Sequence, residues 1–236
     1  VEFVPGRGPV IQAPITTAAD VDRCRPVCAA ESLAYVGDAV RLTAAALPKA
    51  VPLIGFAGAP FTLASYCIEG GSSKQFMKTK AFLHQEPIAA KRLFEYLVEA
   101  TIDLLNLQID AGAKAVQIFD SWAGCLDPDD YSHWGAHYTR RIVDALRPRG
   151  VPVIVFAKGT GSYLELPAST GADVVGVDWT LSLSQARAKV GSNQALQGNL
   201  DPGRLLGPWS ELQRAVDRIL DAANDGRGHI FNLGHG

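Results

Sequence analysis

The stretch VPLIGFAGAPFTLASYCIEGG, residues 51–71, decides the fold. Its opening, Pro52-Leu53-Ile54-Gly55-Phe56-Ala57, is apolar without alternation, which predicts a strand covered on both faces, as in a parallel sheet. Gly58 and Pro60 stop that strand. A glycine-punctuated loop and a polar segment with Tyr66, Glu69, Gly70 and Gly71 are expected next, on the side where α/β folds carry their binding loops.

The same plan recurs along the chain. Strand-like runs stand at residues 115–124 (AVQIFDSWAG), 151–159 (VPVIVFAKG), 173–179 (DVVGVDW), 195–200 (ALQGNL) and 229–233 (HIFNL). Between them lie helical patterns. Leu33, Val36, Val40 and Leu47 recur at helical spacing over residues 29–47, ending before Pro48. Residues 86–111 set Leu93, Leu97, Ala100, Leu104 and Leu107 in one stripe and Lys91, Glu95, Glu99, Asp103 and Asp110 on another, and Gly112 ends the helix. Asp127-Pro128-Asp129-Asp130 opens a helix with an N-cap, a first-position proline and first-turn acids, and that helix ends near Pro148 and Gly150. Residues 210–224 point Leu212, Ala215, Val216, Ile219 and Leu220 inward. Residues 1–14 are rich in Pro and Gly and read as a loop without any element.

Strand and helix thus alternate about six times, which calls for a parallel sheet with right-handed crossovers. No linker or shift in composition interrupts the chain, so one domain over residues 1–236 is expected. Polar residues close nearly every strand (Ser121, Lys158, Asp178, Asn199, His235), and no nucleotide fingerprint follows the first one. Both points favour a (β/α)8 TIM-type barrel over a doubly wound sheet. Six strands fall short of eight, so the expected barrel is incomplete.

Composition narrows the function classes. With 47% apolar and 19% charged residues the chain is a folding one, and no apolar run approaches the roughly 20 residues of a membrane-spanning helix. The 22 Lys+Arg against 24 Asp+Glu leave a net charge of −2, which offers no field for nucleic acid or an anionic membrane. Cys24, Cys28, Cys67 and Cys125 form no CxxC pair and have no histidine placed to complete a zinc site, so reduced packing thiols in a cytoplasmic protein are expected. The start, VEFVPGRGPV, carries neither a signal pattern nor an initiator Met, and further N-terminal sequence is expected before it.

Several residues suit chemistry. GTGS at residues 159–162 lacks P-loop spacing, and Leu164 stands where a GxGxxG pattern needs its third glycine, so an ordinary βα turn is expected. Ser121 beside Asp120, with His235 elsewhere, admits a hydrolase reading. DSWAG is not the GxSxG elbow, however, and a hydrogen-bonding serine at a strand end accounts for it better. Asp120 is expected to cap the following turn, and Asp178 to fix a loop or act as an acid. His235, between glycines in NLGHG, is left unshielded at the rim with a near-neutral imidazole suited to binding or proton transfer. Tyr66 is expected in a loop or helix start facing a cleft.

Taken in order, GFAGAPFTLASYCIEGG, QIFDSWAG, VIVFAKG, VVGVDWT, LQGNLDP and NLGHG closely resemble the uroporphyrinogen decarboxylase family, along the whole of residues 1–236. The resemblance implies a (β/α)8 barrel, commonly a homodimer, that removes carbon dioxide from the four acetate side chains of uroporphyrinogen without metal or organic cofactor. It implies that Tyr66, Ser121 and His235 contact the porphyrinogen. It also implies that the family's RQAGRY segment, with substrate-binding arginines, and its FSD segment, with the aspartate thought central to catalysis, belong upstream of Val1 on the first two barrel strands. This chain is therefore expected to be a fragment with no catalytic residue of its own, inactive and poorly stable alone. Two rivals remain. A barrel methyltransferase of the same superfamily, serving cobalamin or thiols, would need a zinc site that LQGNLDP, without His-x-Cys, does not supply. A non-catalytic remnant would bind the porphyrinogen without turnover.

Overall fold

The structure is a computed structural model describing residues 2–4, 8–71 and 73–235. Strands β3 (Ile54–Gly58), β4 (Ala115–Asp120), β5 (Val153–Ala157), β6 (Val174–Gly176), β7 (Ala195–Gln197) and β8 (His229–Ile230) form one six-stranded sheet. Every neighbouring pair is parallel, and spatial order equals sequence order. A doubly wound sheet reverses direction at a switch point, whereas steady progression is the order of a (β/α) barrel. Among the described residues β3 and β8 are the sheet's edges and do not pair with each other, so the barrel is open.

The core lies between the sheet's convex face and its helices. Val116, Ile118, Val153 and Val155 are buried with Phe61, Leu93, Phe94 and Ile142 in one cluster. Phe94 is wholly buried, 5.1 Å from Trp134 and 4.8 Å from Tyr138 between ring centroids. Burial of such a side chain contributes about 2–3 kcal/mol. Leu164, Val175, Val177, Leu183 and Leu196 form a second cluster under β6 and β7.

The strand at residues 51–71 departs from the expectation of two covered faces. Gly55 and Ala57 face the helices, but Ile54 and Phe56 are 38% and 62% exposed, because their face looks into the open barrel and β3 has a neighbour on one edge alone. The free edge is served by a helix. Gln108, buried in the Pro87–Asp110 helix, accepts from the Phe56 backbone N–H and donates to the Phe56 carbonyl, both at 2.9 Å. Gly55 permits this approach, since a Cβ there would stand 2.9 Å from Gln108 Oε1.

No loop follows β3. Ala59 is an N-cap, Pro60 takes the first helical position, and Pro60–Glu69 is helical until Gly70 (φ 81°) closes it, so Tyr66 lies well inside a helix rather than in a loop or at a helix start. The long helix runs Pro87–Asp110, with its most buried face on Phe94, Val98, Thr101, Leu105 and Gln108. The expected stripe is only half-buried at Leu97, Leu104 and Leu107: Leu97 and Leu104 pack at the border of the main core, and Leu107 meets the Ala34–Ala46 helix, where a Cβ on Gly37 would stand 3.0 Å from it. Residues 29–47 form two helices, Ala29–Ser32 and Ala34–Ala46, broken at Leu33. Asp127 caps as expected, accepting from the Asp130 N–H at 2.8 Å. The helix it opens passes through a π-helical stretch, Tyr131–Ala136, before His137–Leu146. In the Trp209–Ala223 helix Ala215 is buried, while Leu220 is 47% exposed and not inward.

Residues 1–14 do contain an element. β1 (Glu2–Val4) pairs antiparallel with β2 (Gly8–Val10); Val1, Pro5, Gly6 and Arg7 lie outside the described residues, as do Ser72 and Gly236. All four cysteines are free. Cys24, Cys67 and Cys125 pack against the core, but Cys28 is exposed and so is not a packing thiol.

Candidate functional site

Strand pleating sorts the sheet's side chains. Residues of one parity meet the helices, and those of the other face the hollow of the open barrel. On that concave face stands a chain of rings: Phe56 to Phe119 at 6.0 Å, Phe119 to Phe156 at 6.1 Å, and Phe156 to the His235 imidazole at 6.4 Å. Gln117, Phe119, Phe156, Gln197, Asn232, Leu233 and His235 line a cavity of about 480 Å³. Gln197 Nε2 donates to Gln117 Oε1 at 3.1 Å, joining β4 to β7 across the hollow. The wall is therefore mostly flat and apolar, with amides and one imidazole as its polar groups. It suits a large ring carrying polar substituents.

His235 is placed by the backbone before it. Gly234 donates its N–H to the Leu200 carbonyl at 2.8 Å and lies so close to the next loop that a Cβ would fall 2.4 Å from the Trp179 nitrogen. Here only glycine fits. The imidazole consequently sits between Phe156 and Trp179, 6.4 Å from each ring. Lys158 Nζ lies 5.7 Å from the centre of the Trp179 ring.

Ser121 and Tyr66 occupy the neighbouring rim. Ser121 directly follows β4, two residues beyond Phe119, and is half-buried. Tyr66 meets Trp122 edge-on at 6.1 Å, and Trp122 also packs on Phe76 at 4.9 Å. Trp122 thus joins the helix of Tyr66 to the loop that begins at Ser121, whereas His235 is the one of the three that lines the strand-end cavity. Glu69 turns away to tie helices, accepting from the Thr79 N–H and hydroxyl. Asp178 fixes a loop, with Oδ2 accepting from Gly159 N–H at 2.6 Å and Oδ1 from Thr180 N–H at 2.8 Å. Asn199 continues that scaffold by donating to the Asp178 and Leu181 carbonyls.

Asp120 does not cap a turn. It is 1% exposed and accepts one side-chain hydrogen bond, from Thr62 Oγ1 at 2.7 Å. Burial lifts its carboxyl from the ordinary 3.8 to about 7, against the opposing pull of Thr62. Burial likewise pushes the Tyr163 phenol to about 12 and the Cys125 thiol to about 11, and holds Tyr131 well above its usual value.

The phenylalanines Phe56, Phe119 and Phe156 escaped the sequence reading. Their signal was present: IFDS and VFAK place Phe next to last in the strand and GFAG places it one residue earlier, and strand parity then puts all three on one face. Among the described residues no group of three or more His, Cys, Asp or Glu side chains is placed to hold a metal ion. Among the described residues no helix is long and apolar enough to cross a membrane. A larger groove of about 650 Å³ lies on the Pro87–Asp110 helix beside Pro26 and Val27, on the outside of the helical layer and away from the strand ends.

Known proteins place this arrangement in context. The family described as Uroporphyrinogen decarboxylase (URO-D) matches residues 1–236. A uroporphyrinogen decarboxylase of Salinispora tropica is 50% identical over 235 residues, covering all of this chain and 63% of its own length. One from Saccharophagus degradans is 48% identical over 238 residues, covering 99% of this chain and 67% of its own length. The chain thus spans about two thirds of the relatives it matches. Among solved structures, a B12-independent methionine synthase from Shewanella sp. W3-18-1 superposes with a TM-score of 0.52 at 12% identity, covering 90% of this chain and 61% of the other, a likeness of fold alone.

Proposed function

Because this chain belongs to the uroporphyrinogen decarboxylase family, we propose that it forms the porphyrinogen-binding part of a decarboxylase that converts the four acetate side chains of uroporphyrinogen to methyl groups, giving coproporphyrinogen in haem biosynthesis. The observation that carries this reading is the strand-end cavity walled by Phe119 and Phe156 and closed by His235. A macrocycle of four pyrrole rings is broad and apolar at its centre and anionic at its edge. Phe119 and Phe156 meet the centre, while His235, Ser121 and Tyr66 hydrogen-bond the peripheral carboxylates, with Lys158 adding a cation at the rim.

Decarboxylation requires a protonated pyrrole to accept electrons as carbon dioxide leaves, and an anion beside the macrocycle to stabilise that cation. Asp120 and Asp178 do not serve, since one is buried behind the sheet and the other is occupied with loop amides. The 236 residues assayed alone therefore bind without turning over, as one barrel domain whose RQAGRY and FSD counterparts come from outside them. The cytoplasm and a homodimer, with no nucleic acid, membrane or cofactor, complete the reading.

The test is stepwise carboxylate loss from uroporphyrinogen, followed by chromatography, with this chain and with one carrying the RQAGRY and FSD segments N-terminally. Coproporphyrinogen from the extended chain alone is expected. Turnover by the 236 residues alone would overturn the division of labour, and turnover by neither would overturn the decarboxylase reading.

A further inference from the structure

Asp120 carries a feature that substrate contact does not explain. Its Oδ2 is buried without a hydrogen-bond partner, and so are Trp122 Nε1 and the Tyr131 hydroxyl. Its Oδ1 receives Thr62 Oγ1–H, and the same Thr62 oxygen accepts from the Trp122 backbone N–H at 3.4 Å. Thr62 stands one turn before Tyr66 in the Pro60–Glu69 helix, and Tyr66 closes the circuit by packing edge-on against Trp122. A single carboxyl group thereby joins the helix bearing Tyr66 to the loop bearing Ser121 and Trp122.

We propose that Asp120 is a positioning residue that works as a neutral carboxylic acid, its carboxyl holding the helix of Tyr66 and the loop of Ser121 in register through Thr62. This rests on the proposed function only where it concerns ligand binding. An ionised carboxylate so deeply buried calls for several donors or a cation, and this one has a single hydroxyl. The titratable groups facing it are Tyr131, Tyr163 and Cys125, with Lys80 and Glu69 acting on Cys125 from farther out, and none of the three neighbours is a cation. Loss of the proton leaves a buried anion with the Thr62 hydroxyl as its hydrogen-bond donor, so the carboxylate draws on the unused Tyr131 hydroxyl, and that shift disturbs the Thr62 link to Trp122 and with it the contact of Trp122 with Tyr66.

The experiment compares the full chain with Asp120→Asn, which is neutral at every pH, and Thr62→Val, which removes the tie while leaving the acid. Amide hydrogen exchange in peptides spanning residues 60–69 and 120–126 is the first readout. Once the intrinsic rate is divided out, wild type loses protection as pH rises through about 7, Asp120→Asn keeps it, and Thr62→Val lacks it throughout. Urea unfolding is the second. The folded pKa is raised above the unfolded one, so stability is greatest at low pH and declines toward the folded value. The wild-type folding constant, divided by that of Asp120→Asn, falls about tenfold per pH unit between roughly pH 5 and 7. A ratio that stays flat overturns the neutral acid; protection in Thr62→Val equal to wild type overturns the positioning role. Uroporphyrin binding, read by quenching of porphyrin fluorescence, should weaken above about pH 7 in wild type and not in Asp120→Asn. No binding by either protein at any pH would count against the proposed function, while exchange and unfolding still decide the state of Asp120.

Discussion

Gly124→Ala should separate the loops that follow β4 and β5. A Cβ on Gly124 would stand 2.7 Å from Gly159 Cα, 2.9 Å from the Lys158 carbonyl oxygen and 3.0 Å from the Gly159 carbonyl carbon, all backbone atoms that no rotamer change can withdraw. The loops must part. That breaks the Gly124 N–H to Lys158 carbonyl hydrogen bond of 2.9 Å and strains the Lys158 N–H to Asp120 carbonyl bond of 3.1 Å. A lost backbone hydrogen bond costs about 1 kcal/mol and forced overpacking about 1–3 kcal/mol, so a total near 3 kcal/mol is expected. Gly150→Ala is the control. Its φ of 67° makes alanine unfavourable, but no atom lies within 4 Å of the new Cβ, so the cost should stay near 1 kcal/mol. Urea unfolding followed by far-ultraviolet circular dichroism measures both. Gly124→Ala should also weaken uroporphyrin binding, because Lys158 and Ser121 flank the contact. Stability within about 0.5 kcal/mol of wild type would refute the close-packed loop contact.

Gln108→Leu should destabilise by about 2–3 kcal/mol in the same unfolding assay, since the Phe56 N–H and carbonyl on the free edge of β3 lose their partner. Arg187→Met should cost about 2–3 kcal/mol, because the Gln194 and Gly228 carbonyls lose the buried guanidinium that donates to them, while Asp225 keeps its ion pair with Arg227. Asp20 receives the N–H and hydroxyl groups of Thr16 and Thr17, which hold its carboxyl well below the ordinary 3.8. Its contribution is full above that unfolded value and fades as pH falls toward the folded one. The thermal midpoint of Asp20→Asn should therefore trail wild type near pH 7, and the gap should close on acidification below about pH 4. Phe56→Glu should reduce concentration-dependent association in sedimentation velocity, since Phe56 is 62% exposed beside the unpaired edge of β3.

Local sequence determined the elements and their order. Uninterrupted apolar runs can only be strands of a covered parallel sheet or buried helix segments, and Gly or Pro punctuation bounds them tightly enough to decide. Asp127-Pro128 opened a helix because capping is settled within four residues. Closing polar residues such as Ser121 and His235 were legible too, because a strand's end is marked by where its apolar run stops. The tertiary structure decided which faces meet. Phe56 reads as core, and it is the sheet's open edge that exposes it. The long helix is amphipathic by any reading, yet its buried face shifted to Phe94, Val98 and Leu105 because helices pack on it from a second side. Asp120 looked like a turn cap, and only the fold brings Thr62, 58 residues earlier, to its carboxyl and excludes water from it. Helical and strand periodicity report what one element does with its own neighbours. Burial, and with it the protonation of a buried acid, depends on residues that the chain brings together only when it folds.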